Sequence, residues 1–489
     1  MIARHELLLL LTRIVMNRFR LLRALVVLCA FATPAPACAA DPAFLSDVAP
    51  VLVSRCASCH NGAKARSAYK LDTFANLLQP GTSDAKPVVP GKPEESELYR
   101  RLVAENPKER MPPGDDALST NEIAAIKKWI AAGGTFDGSD RTAAIKSILP
   151  ARKHPAAPEK YPVAAPVFAI TFSPDGKELA TGGVNEVTVW DAVNGKLLRR
   201  LPRLPTRVHA LTYTSDGKHL IVGGGTTGEY GEIALVDAKT GERVRVFGTF
   251  DDIVLSAAFS SDGKLVAAGS ADRTARAYHF ADGKVAWRAS LHSDWITGVA
   301  FSPDGKWVAT SSKDRTVKVL EANTGKLFTT FNGHRRQYAP HVGQFEVYAV
   351  AFDATGTALS VGGGAAIRAW DPVKTQDENG SAADMEERFK KAGHTRYLEF
   401  AVGKPVFAMA LGGGHAFSAG GDGVLREHDV ASGKLIREYA KHTDWVYAVA
   451  VHPQTGRAAT GGFDGLVHVF DTKTGDAVTN FVAAPGFSK

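Results

Sequence analysis

Apolar and polar residues alternate along this chain with two different periods, and the change of period marks its organisation. From about residue 165 onward, short runs of strict alternation recur, such as VFAITFS, VHALTYT and ITGVAFS. A period of two predicts strands with one buried face. Each run leads into a glycine-bearing turn (SPDGK, TSDGK, SSDGK, SPDGK) whose glycines, Gly176, Gly217, Gly263 and Gly305, lie 41, 46 and 42 residues apart. A second strand ending in small residues follows (LATGG, LIVGGG, VATSS). A third comes next (VTVWDA, IALVDA, VKVLEA, IRAWDP, LREHDV, VHVFDT), then a turn such as NTGK and a fourth strand. Four strands per period of about 40–45 residues predict the blades of a β-propeller. Seven units, starting near residues 167, 207, 254, 295, 346, 405 and 445, predict seven blades over 165–489. The last unit carries its own fourth strand, VTNFVA, so no N-terminal strand is needed to complete it.

Ahead of residue 140 the period is helical. In FLSDVAPVLVSR, Phe44, Val48 and Leu52 stand four apart, which predicts a short amphipathic helix with Pro50 in its first turn. In STNEIAAIKKWIAAGG, Ser119 and Glu122 form a capping-box pattern. Ile123, Ile126 and Ile130 mark one face with Trp129 beside it, and Gly133 and Gly134 stop the helix. The prediction is a small all-α module over 41–140. A linker rich in Pro, Ala and Lys follows at 141–164, ahead of the propeller.

The first forty residues read as a removable address. Met16 precedes Arg18, Arg20 and Arg23, then the apolar run ALVVLCAFA, then PAPACAADP. A basic region, a short apolar run and small residues at a cleavage point describe a secretory signal peptide, here cut near Ala40. The apolar run falls short of the roughly 20 residues of a membrane span, so the mature chain is expected to lack one. A second apolar run precedes Met16, which leaves Met1 and Met16 both open as the start. Cys38 as a lipid anchor is the weaker reading, because Ala35 stands where a lipobox prefers leucine. The expected location is therefore the periplasm. A leader with five Arg and one Glu also takes the net charge from +7 to about +3, which removes the argument for a nucleic-acid partner.

Export changes the cysteine count. The chain has four cysteines, Cys29, Cys38, Cys56 and Cys59, and cleavage leaves the last two, in VSRCASCHNG. Structural zinc takes four protein ligands, and no other cysteine or second histidine lies between residues 41 and 153. A thioredoxin-type pair expects a strand before it rather than a helix and needs no adjoining histidine. The remaining reading is one covalent haem c, with Cys56 and Cys59 forming the thioethers and His60 the iron ligand. One methionine lies between residues 41 and 153, Met111 in KERMPPGDDALS. The prolines after it stiffen a loop without apolar periodicity, which suits a distal ligand better than a core residue.

These residues also carry a resemblance. DVAPVLVSRCASCHNG, VVPGKPEESELYRRL and RMPPGDDALSTNEIAAIKKWIAAGG, in that order, are similar to the planctomycete-type cytochrome c domain. The resemblance implies a class I c-type fold with Cys56 and Cys59 on haem, His60 proximal and Met111 distal. The later repeats resemble WD repeats. Trp190–Asp191 and Trp370–Asp371 match the family's dipeptide. Asp272, Asp314, Asp422 and Asp464 match its tight-turn aspartate, and His292, His334, His394 and His442 its histidine. By that resemblance these are structural members of hydrogen-bond networks, not metal ligands.

Where the repeat is broken, two readings stay open. GGGTTGEYGE (223–232), GHRRQYAPHVGQ (333–344) and GHTRYLEFAVGK (393–404) lengthen connections on one face. They are either tolerated insertions or a partner surface built by Tyr230, Arg335, Arg336, Tyr338, His341 and Tyr397. KTQDENGSAADMEER is expected as a flexible insertion on the opposite face. The function expected from all this is an exported single-electron carrier whose propeller docks an unidentified periplasmic redox partner. Two alternatives are a periplasmic oxidoreductase whose propeller binds substrate and feeds electrons to haem, and a haem-based redox or gas sensor. No paired carboxylates, nucleophile–base pair or cofactor fingerprint favours the enzyme.

Overall fold

The computed structural model describes residues 42–487 except 58, 61–64, 113–117, 150–151, 336–344, 365, 382, 384–395, 400–403 and 440–441. The proposed signal peptide therefore lies outside the described residues. The chain divides into two compact units, one ending at Pro150 and the other running from Ala151 to Lys489. Among the described residues no helix is long and apolar enough to cross a membrane.

The first unit is helical. A π-turn at Phe44–Val48 runs into α1 (Ala49–Arg55), with Pro50 in its first turn, where no amide partner is lost. Three further helices follow: α2 (Phe74–Leu77), capped by Thr73, α3 (Glu97–Val103) and α4 (Thr120–Ala131). The capping box is formed: the Ser119 amide donates to Glu122 Oε2 at 2.7 Å and the Glu122 amide to Ser119 Oγ at 3.3 Å. At the far end Gly133 and Gly134 take φ of 104° and 61°, and the Gly134 amide closes on the Trp129 carbonyl. The buried face of α4, Ile126, Trp129 and Ile130, packs on Phe44, Leu52 and Phe74. The Phe44 ring stands 4.7 Å edge-on from Phe74 and 5.4 Å from Trp129, while Trp129 Nε1 donates to the Thr135 carbonyl at 2.8 Å. Trp129→Ala removes this centrepiece and leaves a cavity, so a loss of about 3–5 kcal/mol is expected. A lowered urea midpoint for the helical circular dichroism signal checks it.

Part of the stretch read as a linker belongs to this unit. Thr73 and Ala144 form a β-bridge, the Ile145 amide donates to the Asp72 carbonyl at 2.8 Å, and Ile145 is buried in the core at the start of α5 (Ile145–Ile148).

Among its described residues the second unit is built of antiparallel strands in six sheets: one of seven strands and five of four. The seven-stranded sheet holds two repeats, because Leu197–Tyr213 serves both. Its first part pairs with Val184–Asp191 (Val187 opposite Leu201), its second with His219–Thr226 (Leu211 opposite Val222). The four repeat glycines have φ of 68–71°, the left-handed conformation that the Asp–Gly turn requires.

The small residues ending each second strand also acquire a reason. A Cβ on Gly182 would meet the Val208 carbonyl at 2.6 Å, one on Gly223 would meet Val254, and one on Gly269 would meet Ile296 at 2.4 Å. In each case the neighbour is a β-branched residue on the first strand of the next repeat. Gly461, in the last repeat, stands in the same way against Val167, at 2.5 Å. The Val167 amide donates to the Gly462 carbonyl at 3.0 Å, and Trp190 stacks on Phe481 at 4.5 Å. The first and last repeats are thus packed together.

Two expectations are corrected. The stretch at 223–232 is not an irregular loop but the end of a long hairpin, paired as far as Thr226 opposite Tyr230. Tyr230, expected on an open surface, is buried. Its ring lies under the Arg152 guanidinium at 3.9 Å and stacks on His154 at 5.9 Å. Residues 152–161 cover it, a strap along the first sheet rather than a free tether. His154 Nε2 stands 3.1 Å from Glu232 Oε1, and the Tyr161 hydroxyl donates to Glu186 Oε1 at 2.7 Å. Glu186 and Glu232 hold equivalent places, five residues before Asp191 and Asp237, and both carboxylates are fully buried with an arginine beside them. The Tyr161 amide also donates to the Pro485 carbonyl at 3.2 Å. The second correction concerns KTQDENGS. It forms α6 (Pro372–Ser381), docked where Asn379 Nδ2 donates to Thr329 Oγ1 and the Thr330 carbonyl, each at 3.0 Å.

Candidate functional site

Helix α1 delivers the cysteine–histidine motif. Its last turn closes with the amides of Cys56 and Ala57 on the Leu52 carbonyl, both at 3.0 Å. The chain then coils once more: the amides of Cys59 and His60 donate to the Cys56 carbonyl at 3.2 and 3.1 Å. Both thiols and the imidazole therefore issue from one turn at the end of a helix whose Ala49 and Leu52 are buried in the core. All three side chains are partly exposed, and Cys56 and Cys59 are not joined in a disulfide.

The imidazole is held from behind. His60 Nδ1 lies 3.2 Å from the Tyr69 carbonyl oxygen. A carbonyl only accepts, so Nδ1 carries the proton and Nε2 keeps its lone pair. That is the tautomer and the backing contact of a metal-ligating histidine. Tyr69 is itself fixed. Its hydroxyl donates to the Leu77 carbonyl at 3.0 Å, and its ring stands edge-on to His60 at 5.6 Å. The Leu71 amide adds a 2.7 Å bond to the His60 carbonyl. Sequence reasoning missed Tyr69, because its contribution is a backbone oxygen that no residue pattern advertises.

Burial pushes the Cys56 thiol up to about 12, with the Arg55 charge opposing. Such a thiol stays protonated at neutral pH and is a poor redox nucleophile, which speaks against a thioredoxin-type pair. The set present, two thiols not joined in a disulfide and one imidazole whose Nδ1 is committed to the Tyr69 carbonyl, fits the chemistry of haem attachment through vinyl groups and an iron ligand.

Met111 is half-buried. Its amide donates to the Arg101 carbonyl at 2.8 Å, which pins the loop to the end of α3, just beyond a turn closed by the Arg110 amide on the Asn106 carbonyl. Residues 113–117 lie outside the described set.

In the second unit two of the repeat histidines are bonded to repeat aspartates. His292 sits between Asp314 (Nδ1–Oδ2 2.8 Å) and Thr310 (Nε2–Oγ1 2.9 Å). His442 lies between Asp464 (3.4 Å) and Thr460 (2.7 Å). His334 Nε2 reaches Ser360 Oγ at 2.8 Å. Asp272 and Asp422 pair instead with Arg276 and Arg426. These are inter-strand networks, and His394 lies outside the described residues. Of the expected partner surface, Arg335 ends a 3-10 turn (Gly333–Arg335) and Tyr397 lies on the strand Arg396–Glu399. Arg336, Tyr338 and His341 lie outside the described residues.

Comparison with known proteins agrees with this division. The pattern of the planctomycete cytochrome C family matches residues 56–115, and that of the WD domain, G-beta repeat, matches 241–279, 287–320 and 433–471. The expected fusion of a planctomycete-type cytochrome c module with WD repeats is thereby borne out, and the mostly β second unit with its WD repeats is consistent with a β-propeller. The chain is similar to WD repeat-containing protein SL1-17 of Schistosoma mansoni, 32% identical over 125 residues, which is 25% of this chain and 39% of that one. It is also similar to mitotic checkpoint protein bub3 of Dictyostelium discoideum (38% over 71 residues; 14% and 22%). A third relative is mitotic checkpoint protein BUB3.1 of Arabidopsis thaliana (40% over 68 residues; 14% and 20%). The matches span between a fifth and two fifths of these relatives' own lengths.

Proposed function

We propose that this chain is an exported single-electron carrier with one haem bound through Cys56 and Cys59, His60 as proximal and Met111 as distal ligand. Its second unit is read as a closed seven-bladed propeller that docks a periplasmic redox partner protein. The observation that carries the haem reading is the His60 ring, whose Nδ1 is committed to the Tyr69 carbonyl so that Nε2 is left for a metal. A haem held between imidazole and thioether supplies reversible one-electron chemistry at raised potential. Tyr69 orients the imidazole, the Leu71 amide fixes the His60 backbone, the Cys56–His60 turn sets the spacing of thiols and ring, and the Arg101 carbonyl holds the Met111 backbone.

Seven blades are supported by counting the seven-stranded sheet as two repeats beside five four-stranded ones. Closure is supported by Val167, which meets Gly461 of the last repeat as Val208 meets Gly182. The docking role is supported by the WD repeats alone, and fold by itself does not choose a function.

The test is the visible spectrum of the purified oxidised chain. A sulfur-to-iron charge-transfer band in the far red is expected, together with its loss in Met111→Ala while covalent haem is retained. Wild-type protein with covalent haem and no such band would refute Met111 as ligand.

A further inference from the structure

The first strands of the repeats share a short motif: Val167–Phe168–Ala169, Val208–His209–Ala210, Val347–Tyr348–Ala349, Val406–Phe407–Ala408 and Val446–Tyr447–Ala448. The valine is buried in every case. In the last four the ladder skips a residue between valine and alanine, so His209, Tyr348, Phe407 and Tyr447 sit in β-bulges. A bulge takes a residue out of pairing and re-aims its side chain. Here the re-aimed rings meet. His209 stacks on Phe168 at 4.4 Å, and Phe168 touches Tyr447 at 5.2 Å. Tyr447 stacks on Phe407 at 5.0 Å, and Phe407 meets Tyr348 at 5.2 Å. Two further rings join within this row: Trp445, 5.6 Å from Phe407, and Phe463, 6.1 Å from Tyr447. These two are 48% and 47% exposed, unusual for large aromatic side chains bunched together.

The charges beside the rings are of two kinds. Asp444 precedes Trp445, accepts its amide at 2.8 Å, and its charge adds to burial in raising the Tyr447 hydroxyl's pKa. Glu346 accepts the Tyr348 hydroxyl at 2.8 Å. The basic Arg207 lies at the opposite end, next to His209. Close by, the molecule shows what such a combination accepts. Lys313 Nζ lies 4.5 Å over the centre of the Trp295 ring and 3.7 Å from Glu346 Oε2. An ammonium between an aromatic face and a carboxylate gains from both. At Trp445, Tyr447, Phe407 and Phe463 the same pairing of rings with a carboxylate, Asp444, faces solvent.

We infer that the cluster of Trp445, Phe463, Tyr447 and Phe407 with Asp444 is a docking site for a lysine side chain presented by a partner protein. The inference rests on the reading of the second unit as a partner platform and names the chemistry by which that platform selects. A cation–ring contact reinforced by a carboxylate is expected to favour a cationic over a neutral side chain about tenfold.

The test titrates the full-length chain with a fluorescein-labelled, N-acetylated Gly/Ser peptide carrying one central lysine, against the same peptide with norleucine. The lysine peptide is expected to bind about tenfold more tightly. That preference is expected to vanish in Trp445→Ala and to shrink in Asp444→Asn, with circular dichroism unchanged because both side chains are on the surface. Phe463→Ala provides a second, equally exposed variant. Equal binding of the norleucine peptide overturns the inference. So does a lysine preference untouched by the variants, or no saturable binding at millimolar peptide. A chain that ignores lysine while binding a redox partner elsewhere loses this inference and keeps the platform reading, and the far-red band of the haem tests the cytochrome separately.

Discussion

The double substitution Cys56→Ser/Cys59→Ser is expected to yield a chain with no covalently attached pigment. Both thiols emerge from the one turn that closes α1, with amides locked to the Leu52 and Cys56 carbonyls, so the serines would keep the backbone geometry. What they lose is sulfur: a serine hydroxyl does not form the thioether to a vinyl group. Any haem still bound through His60 would then leave in acidified organic solvent, whereas the wild-type colour would stay with the polypeptide. Intact mass under denaturing conditions and haem staining of a denaturing gel read the difference as all or nothing. A single substitution is expected to retain colour through one thioether. His60→Ala is expected to keep covalent haem but change its spectrum, because the ring backed by the Tyr69 carbonyl is gone. Haem still fixed in the double variant would mean that attachment is elsewhere and that the site is misassigned.

The second large effect is on stability in acid. Burial, reinforced by the neighbouring His468, holds His442 down at about 4, and burial with the Arg368 charge holds His334 well below the usual imidazole range. Both rings are 2% exposed or less and spend a nitrogen on a hydroxyl, Thr460 and Ser360 respectively. In the unfolded chain they would titrate near 6.5. Between that value and the folded one, only the unfolded state takes up the protons, so stability falls as pH falls. It is fully present above about pH 6.5 and is lost progressively toward pH 4. His442 alone accounts for roughly 3 kcal/mol, and a folded domain has only about 5–15 kcal/mol to lose. The urea midpoint of the β signal should therefore drop steeply between about pH 7 and 4.5, and His442→Gln should flatten the slope. The Asp314 carboxyl, held low by His292 and Thr316 against the cost of its burial, loses its stabilisation only below its ordinary value near 3.8, so its contribution falls outside this window. A midpoint independent of pH across it would show that the rings are not neutral in the folded state.

Much of this architecture is written in local pattern. Ser119 and Glu122 announce their capping box, and Gly133–Gly134 the helix end, because each answers a backbone requirement within four residues. The repeat glycines do the same for the turns. What the pattern hides is long-range. The Pro/Ala/Lys-rich stretch has no period, yet Ile145 fills one core while His154 and Tyr161 find buried glutamates in the other unit. Tyr230 reads as a loop aromatic because the strap that covers it comes from 76 residues upstream. KTQDENGS is polar enough to read as loose chain, and only Asn379 meeting Thr329 and Thr330 anchors it as a helix. The aromatic cluster is a different case. Its signal, an aromatic ring after the buried valine in VFA, VYA, VFA and VYA, stands in the sequence, but only the bulges show that these rings leave the ladder and converge.

The bond between the Tyr161 amide and the Pro485 carbonyl bears on the order of folding. It joins residues more than three hundred positions apart, at the joint where the first and last repeats meet. The helical unit has a core of its own, whose last fully buried residue is Ile145, so it can fold as soon as it is made. The sheets have no such freedom. Val167 waits for Gly461, and the strap waits for Pro485, so the packing of the first repeat on the last is a late event of high contact order, with unpaired repeat faces exposed until it happens. Removing the last repeat would thus leave the first repeat without the partner it packs on, while the helical unit could still mature.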